Sequence, residues 1–457
     1  MGEQHAVSHD ESRALFARIA ESIAGGESSY ARLKKGLELC FARGEGPYFW
    51  DVDGNRYVDY SLGYGPLIFG HNPPAVTAAV VRAITERGSV ATFPYDLDAA
   101  VGEQIRAMVP GVDLVRFANS GTEATMAAAR LARAYTGRMK IVQMEGGYHG
   151  FADTHYWSSH PDVYAAEPRP YSPTPQPASR GIPAAYGEAL LIGQYNDRDN
   201  LEMLFARHGD DIAAVLVEPI QANSGVIPPE PGYLAFLRDI TARHGALLIF
   251  DEVITGFRVA PGGAQQLYGV TPDITTLAKA LGGGFPIAAF GGSREVMEME
   301  ARNEVMHGGT YTANLVALAA ADAVLTEMRA RESEIWDRLN GYGERLCRGI
   351  GDACREAGLR NVVQGVGPIW HIFFARPDAP DLVRIRNYRD ALAYTSVEVF
   401  DRFHEAMLAR GVYFHPYHLE RWFLSTAHGE AEVQATLEAA ADAAEEVAAS
   451  LRAEGKL

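Results

Sequence analysis

Between about residues 112 and 290 the chain alternates short unbroken apolar runs with longer segments in which apolar residues return every three or four positions. The runs VRFA (115–118), KIVQM (140–144), AAVLVEP (213–219), ALLIFDEV (246–253), ITTLAK (274–279) and PIAAFGG (286–292) predict strands. Unbroken rather than alternating apolar character suits strands covered on both faces. The segments EATMAAARLARAYTG, NLEMLFARHG and YLAFLRDITARHG predict helices, each ending at a glycine, a common helix stop. Strands alternating with helices predict an α/β domain with a mainly parallel sheet. The flanks, 1–65 and 331–457, lie outside this block. Near the C-terminus, EVQATLEAAADAAEEVAASLRAEG predicts an amphipathic packing helix. The Pro-, Ser- and Tyr-rich stretch 158–185 predicts a long surface loop or flap.

Composition narrows the function classes. With 457 residues the chain is long enough for roughly two to three domains. It holds 41 Lys and Arg against 58 Asp and Glu, a net charge of −17. Such a surface repels nucleic acid and anionic lipid, and is compatible with a cationic substrate. No apolar run reaches the length of a membrane span, about 18 residues. The start, MGEQHAVSHDESRALF, has no apolar core of its own, so a cytoplasmic protein is expected. Cys40, Cys347 and Cys354 form no paired framework. Neither Cys-x-x-Cys nor His-Glu-x-x-His occurs, and no metal site is expected.

The candidate chemistry collects at the carboxyl ends of the predicted strands, where open α/β sheets bind ligands. Glu218 ends one strand, Asp251 and Glu252 another, and Lys279 a third. Asn119, Ser120, Gly121 and Thr122 follow a fourth and open a helix. Each has an ordinary reading alone: an N-cap at Ser120 or Thr122, a salt bridge from Asp251 to Arg258, a lysine reaching solvent. Each also has a chemical reading. A helix N-terminus holds phosphate. A buried carboxylate needs a partner such as a pyridinium N–H. A lysine in a dry pocket has a depressed pKa and condenses with an aldehyde. Together these are the requirements of pyridoxal 5′-phosphate. The glycines 282–284 would then let the backbone turn sharply away from Lys279.

NSGTEA (119–124), GGYHG (146–150), VEPI–N (217–223), DEVITGFR (251–258), LAKALGGGFPIAAFGG (277–292) and HGGTYTAN (307–314) resemble the class III pyridoxal-phosphate aminotransferases. Within that class they are most similar to the glutamate-1-semialdehyde aminomutase branch. The resemblance runs from about residue 20 to the end. It implies fold type I: a large α/β domain (66–330), a small α+β domain from both termini (1–65 and 331–457), and a homodimer with sites at its interface. It also implies roles for single residues. Lys279 would form the Schiff base and Asp251 bond the pyridine nitrogen. Val253 would pack under the ring and Tyr148 stack over it, with His149 in the same cofactor-binding motif. Ser120, Gly121 and Thr122 would bind the phosphate, Asn223 would face the ring hydroxyl, and Thr310 would reach the neighbouring subunit's phosphate. Arg32, Tyr64 and Glu420 fall where the branch binds substrate.

The sequence departs from the branch in 158–185, in the absence of a proline after Asn314, and in His415, Tyr417, His418, Arg421 and Trp422. The expected activity is therefore amino transfer between an amine donor and an aldehyde or ketone. The acceptor is expected to be larger and more polar than glutamate semialdehyde, such as an amino sugar or aminoglycoside precursor. An aminomutase or epimerase would use the same residues. A non-catalytic protein that binds the cofactor is the reading from another class.

Overall fold

The computed structural model describes residues 8–29, 36–90, 93–162 and 173–457. In chain order the strands are β1 (Phe41–Glu45), β2 (Tyr48–Asp51), β3 (Arg56–Asp59), β4 (Leu114–Ala118), β5 (Lys140–Met144), β6 (Leu190–Gly193), β7 (Ile212–Val217), β8 (Leu247–Asp251), β9 (Ile274–Leu277), β10 (Ala288–Gly292), β11 (Asn361–Val366), β12 (Ile369–Phe374), β13 (Val412–Tyr413) and β14 (Trp422–Phe423).

Among the described residues the central sheet has seven strands in the order β4-β10-β9-β8-β7-β5-β6. β10 runs antiparallel to both neighbours, while β9, β8, β7, β5 and β6 are mutually parallel. The carboxyl ends of β4, β7, β8 and β9 thus open on one edge. Every residue of β7, β8 and β9 is buried, as the unbroken apolar runs require. The helix Gly121–Thr136 covers one face with small side chains. Ala124, Ala127, Ala128 and Leu131 pack against Ala214, Leu216 and Ile249 of β7 and β8. Ser120 caps this helix by accepting from the Glu123 N–H at 3.3 Å, and Gly137 ends it with φ 70°. Gly245 ends the helix Tyr233–His244 in the same left-handed way, with φ 62°.

Two smaller sheets flank the large one. In β1-β2-β3-β13 the strand β13, from near the C-terminus, pairs in parallel with β3, from near the N-terminus. The other is β11-β12-β14. The helix Glu430–Ala453 lays Val433, Ala440, Val447 and Leu451 into a core shared with Leu346 and Ile350 of the helix Glu332–Glu356. Each fully buried aliphatic or aromatic side chain there contributes roughly 1.5–3 kcal/mol. Phe414 and Trp422 stack in that core at 3.8 Å between ring centroids, and both are fully buried. They pin the two ends of the segment 415–421, which carries Glu420 and Arg421.

Four details differ from the sequence reading. β6 was not foreseen. PIAAFGG supplies the antiparallel strand. ITTLAK stops as a strand at Leu277, and Lys279 begins a short 3₁₀ turn, Lys279–Gly282. Within the expected flap, residues 163–172 lie outside the described residues, while Trp157 bridges to Pro177 and a 3₁₀ turn covers Ala184–Ala189. Among the described residues no helix is long and apolar enough to cross a membrane.

Candidate active site

A cavity of about 550 Å³ opens at the carboxyl edge of the large sheet. Lys279, Asp251, Glu218, Asn223, Tyr148 and the Ser120–Thr122 turn all line it. Apart from Glu252, which does not line it, the residues singled out at four separate strand ends therefore meet in one space.

Lys279 sits in the left-handed region with φ 44°, uncommon for a residue with a side chain and costly by about 1–3 kcal/mol. Gly283 and Gly284 follow with φ 56° and 110°, conformations that side-chain-bearing residues resist. The chain thus leaves β9, presents the lysine, and turns away within a few residues. Lys279 is half-buried: protein surrounds it and only the cavity exposes it. Burial, and next the charge of Arg421, push its amine down to about 7, against the upward pull of Glu420, Glu218 and Asp251. A fraction of the amine is consequently neutral near pH 7, the form that reacts with carbonyl carbon.

Asp251 ends β8 and is 4 % exposed. One carboxylate oxygen accepts from the Val253 N–H at 3.1 Å and the Thr276 hydroxyl at 3.0 Å. The other lies 2.8 Å from His149 Nδ1. Arg258 does not supply the salt bridge considered from sequence. It donates to the backbone carbonyls of Leu424, at 2.9 Å, and Gly65. His149 is itself buried, with Nε2 lacking a partner, and its carbonyl accepts from the Thr125 hydroxyl at 2.7 Å.

The helix start at Gly121 and Thr122 points first-turn N–H groups that have no partner within the helix. A side chain at position 121 would meet the methyls of Val253 at 3.0 and 3.1 Å, so glycine keeps this end of the cavity open. Gly150, with φ 91°, passes so close that a Cβ would stand 2.7 Å from Thr122 Cα. Tyr148 is 36 % exposed, and burial of the rest raises its phenol to about 12. Val253 is half-buried at the wall beside Gly121.

Asn223 is buried and bonded at both ends of its amide. Its Nδ2 donates to Glu218 Oε2 at 2.9 Å, and its Oδ1 accepts from an Arg421 guanidinium N–H at 2.8 Å. The same guanidinium nitrogen stands 2.7 Å from Glu420 Oε2. Burial alone would raise the Glu420 carboxyl, but Arg421, His415, His160 and Lys279 hold it below its ordinary value. Tyr64 has φ 68° and its hydroxyl lies 2.6 Å from His415 Nε2. It lines a second cavity of about 620 Å³ that shares Gly63 with the first. Thr310 lies exposed in the segment 307–314 and does not line the cofactor-sized cavity. Arg32 lies outside the described residues.

Two features were not assigned from sequence. Arg421 was noted only as a departure, because a surface and a buried arginine look alike in one sequence. The pairing of His149 with Asp251 joins motifs 102 residues apart, and hydropathy carries no trace of it.

Residues 29–451 match the family model described as Aminotransferase class-III. An omega-transaminase from Sphaerobacter thermophilus is 35% identical, with TM-score 0.88, covering 95% of this chain and 97% of that one. A β-phenylalanine aminotransferase from Variovorax paradoxus is 30% identical, with TM-score 0.82, covering 98% and 95%. A glutamate-1-semialdehyde aminomutase from Pseudomonas aeruginosa is 26% identical, with TM-score 0.84, covering 96% and 95%. The match spans nearly the whole chain, its fold is that of fold type I, and the chain belongs to the class III aminotransferases, enzymes that use pyridoxal 5′-phosphate.

Proposed function

We propose that the protein moves an amino group between an amine donor and an aldehyde or ketone, with Lys279 as the residue that holds the cofactor and then moves the proton. The observation that carries this is the meeting of three groups in one cavity: a lysine amine with pKa about 7, a buried carboxylate and an open helix N-terminus. The donor set fits pyridoxal phosphate. Glycine at 121 keeps the anion-binding end clear, and Asp251 offers an acceptor for a ring N–H. Bound there, the cofactor would supply an electron sink for the bond-breaking at the substrate carbon.

The chain's own residues do the rest. The N–H groups of Gly121 and Thr122, with the Ser120 and Thr122 hydroxyls, would bind phosphate. His149 holds one oxygen of Asp251 and Thr276 the other, so the carboxylate is oriented before anything binds. Tyr148 and Val253 would enclose the ring, and Asn223 would face its hydroxyl. Lys279 Nζ, once free, would take the proton from the substrate carbon that bears nitrogen and deliver it to the cofactor carbon on the other side of that nitrogen. Thr310, exposed here, would meet the phosphate of a second copy in a homodimer. The division into a large domain (66–330) and a small domain from both ends is part of the same reading.

For the substrate we propose a polar amine or carbonyl compound, such as an amino sugar or aminoglycoside precursor. Its support is the polar cluster of Tyr64, His160, His415, Glu420 and Arg421, whose Glu420 and Arg421 charges act on Lys279, and the ionised Glu420 that would attract an ammonium group. The aminomutase reading draws on the position of Glu420 and on the aminomutase among the similar structures. Incubation of the loaded enzyme with a donor alone tests the choice: release of a keto product supports transfer, and rearrangement of the donor without one supports the mutase.

A further inference from the structure

Glu218, at the carboxyl end of β7, is 5 % exposed and lines the cavity, yet the reaction outlined above gives it no part. Of its three hydrogen-bond partners, Tyr148 and Asn223 line the cavity, and Ala222 directly precedes Asn223. Oε1 accepts from the Tyr148 N–H at 3.0 Å. Oε2 accepts from the Ala222 N–H at 3.0 Å and from Asn223 Nδ2 at 2.9 Å. We propose that Glu218 is a positioning residue, a carboxylate bracket that sets the ring-facing Tyr148 and the amide of Asn223 at the same time. This rests on the reading of the cavity as the pyridoxal-phosphate site.

The argument is one of donors and acceptors. The three groups around Glu218 are all N–H donors, so only a group that accepts at both oxygens satisfies them. Because Glu218 takes the NH₂ end of Asn223, the oxygen end must face Arg421, where it accepts at 2.8 Å. Arg421 in turn pairs with Glu420 at 2.7 Å. The orientation of one side chain at the strand end thereby reaches the Arg421–Glu420 pair proposed above to meet substrate. The Asn223 carbonyl, fixed by the same turn, accepts from His160 Nε2 at 3.1 Å. Glu252, the carboxylate that ends the neighbouring strand, provides the contrast. It accepts from Thr255, Ala264 and Gln265, none of which lines the cavity.

Glu218→Gln keeps size and removes the match. Whichever way the new amide turns, its NH₂ group faces the N–H of Tyr148 or the paired donors of Ala222 and Asn223. A buried donor left facing a donor costs about tenfold or more in an equilibrium that depends on the site. The charged groups facing Lys279 are Arg421, Glu420, Glu218 and Asp251, and those facing Glu218 include His149 and Asp251. Loss of the Glu218 charge removes an anion that favours positive charge at the Lys279 nitrogen, so the pH midpoint of the loaded enzyme's visible band should fall.

The test titrates pyridoxal phosphate into the wild type, Glu218→Gln, Glu252→Gln and the double variant Glu218→Gln/Asn223→Asp, following the protein's fluorescence and the band's pH midpoint. The expected result is about tenfold weaker binding and a lower midpoint for Glu218→Gln. The double variant restores a donor–acceptor match and a carboxylate at position 223 but leaves its amide facing the Ala222 N–H, so it should recover part of both. Glu252→Gln should leave the midpoint in place. Wild-type binding and midpoint in Glu218→Gln would overturn the bracket, as would equal midpoint shifts in Glu218→Gln and Glu252→Gln. If Glu218→Gln does not fold, a folded, cofactor-binding double variant supports the inference and an unfolded one overturns it. Failure of the wild type to take up the cofactor would instead overturn the reading on which the inference rests.

Discussion

His149 Nδ1 lies 2.8 Å from Asp251 Oδ2, and both side chains are buried. Asp251 already accepts from Val253 and Thr276 on its other oxygen. A carboxylate accepts, so His149 donates from Nδ1 and sets the direction of the carboxylate.

Removing that partner should be felt by the cofactor. His149→Ala leaves one oxygen of a buried carboxylate without its donor, a cost of about 1–3 kcal/mol. We expect the affinity for pyridoxal phosphate to fall by roughly tenfold or more while the protein remains folded. Calorimetric titration of both proteins checks this. Unchanged affinity would mean that Asp251 is held by Val253 and Thr276 alone.

Lys279 makes a prediction about stability. Its pKa is about 7 in the folded protein against an ordinary 10.5. Below pH 7 the amine is protonated folded or unfolded, and the folded state bears the whole cost of burying it. Between pH 7 and 10.5 the unfolded chain keeps a proton that the folded chain has lost, so folding gains stability as pH rises. The cofactor-free protein should thus be less stable than Lys279→Met near pH 6, with the gap closing as pH rises through 7 toward 9. Urea melts at several pH values measure it, and a gap independent of pH would contradict the depressed pKa.

Gly150 tests the phosphate end. At φ 91° a side chain is strained, and a Cβ would stand 2.7 Å from Thr122 Cα, a backbone atom with little room to move. Gly150→Ala should destabilise the protein by about 1–3 kcal/mol and weaken cofactor binding by displacing the Thr122 turn. Gly181→Ala has similar strain, at φ 93°, with nothing within 4 Å of the added carbon. It should lose stability but leave cofactor affinity intact.

Glu420 tests the substrate side. Arg421, His415, His160 and Lys279 hold its carboxyl below the ordinary value, so it is ionised near neutral pH. Glu420→Gln should raise KM for an amine donor by about tenfold, with a smaller change in kcat, because the lost attraction acts on binding. Equal effects on charged and uncharged donors would argue that Glu420 serves only to hold Arg421.

Much of the frame was legible in the sequence because buried parallel strands leave a plain trace. VRFA, KIVQM, AAVLVEP and ALLIFDEV each contain their strand, within a residue or two at the ends. Leu190–Gly193 escaped notice because four residues at a sheet edge, just after a Pro-rich stretch, show no period. Strand direction is not written in hydropathy either, so the antiparallel β10 emerged only in three dimensions. At the site, polar residues at strand ends were legible singly and persuasive together. Their mutual bonds were not: Asn223 with Arg421 spans 198 positions, and Asp251 prefers His149 to the nearby Arg258. Such pairings depend on the order of strands, which sets which loops meet.

The central claim is that this cavity binds pyridoxal phosphate through Lys279 and moves amino groups with it. The most direct measurement is the visible absorption of the protein loaded with pyridoxal phosphate, followed while polar amine donors are added one at a time, beside Lys279→Ala. The account predicts a band that a productive donor bleaches with release of a carbonyl product, and that an added aldehyde or ketone restores, with no turnover in Lys279→Ala. A wild type that takes up no cofactor, or a Lys279→Ala variant that turns over as the wild type does, would contradict it.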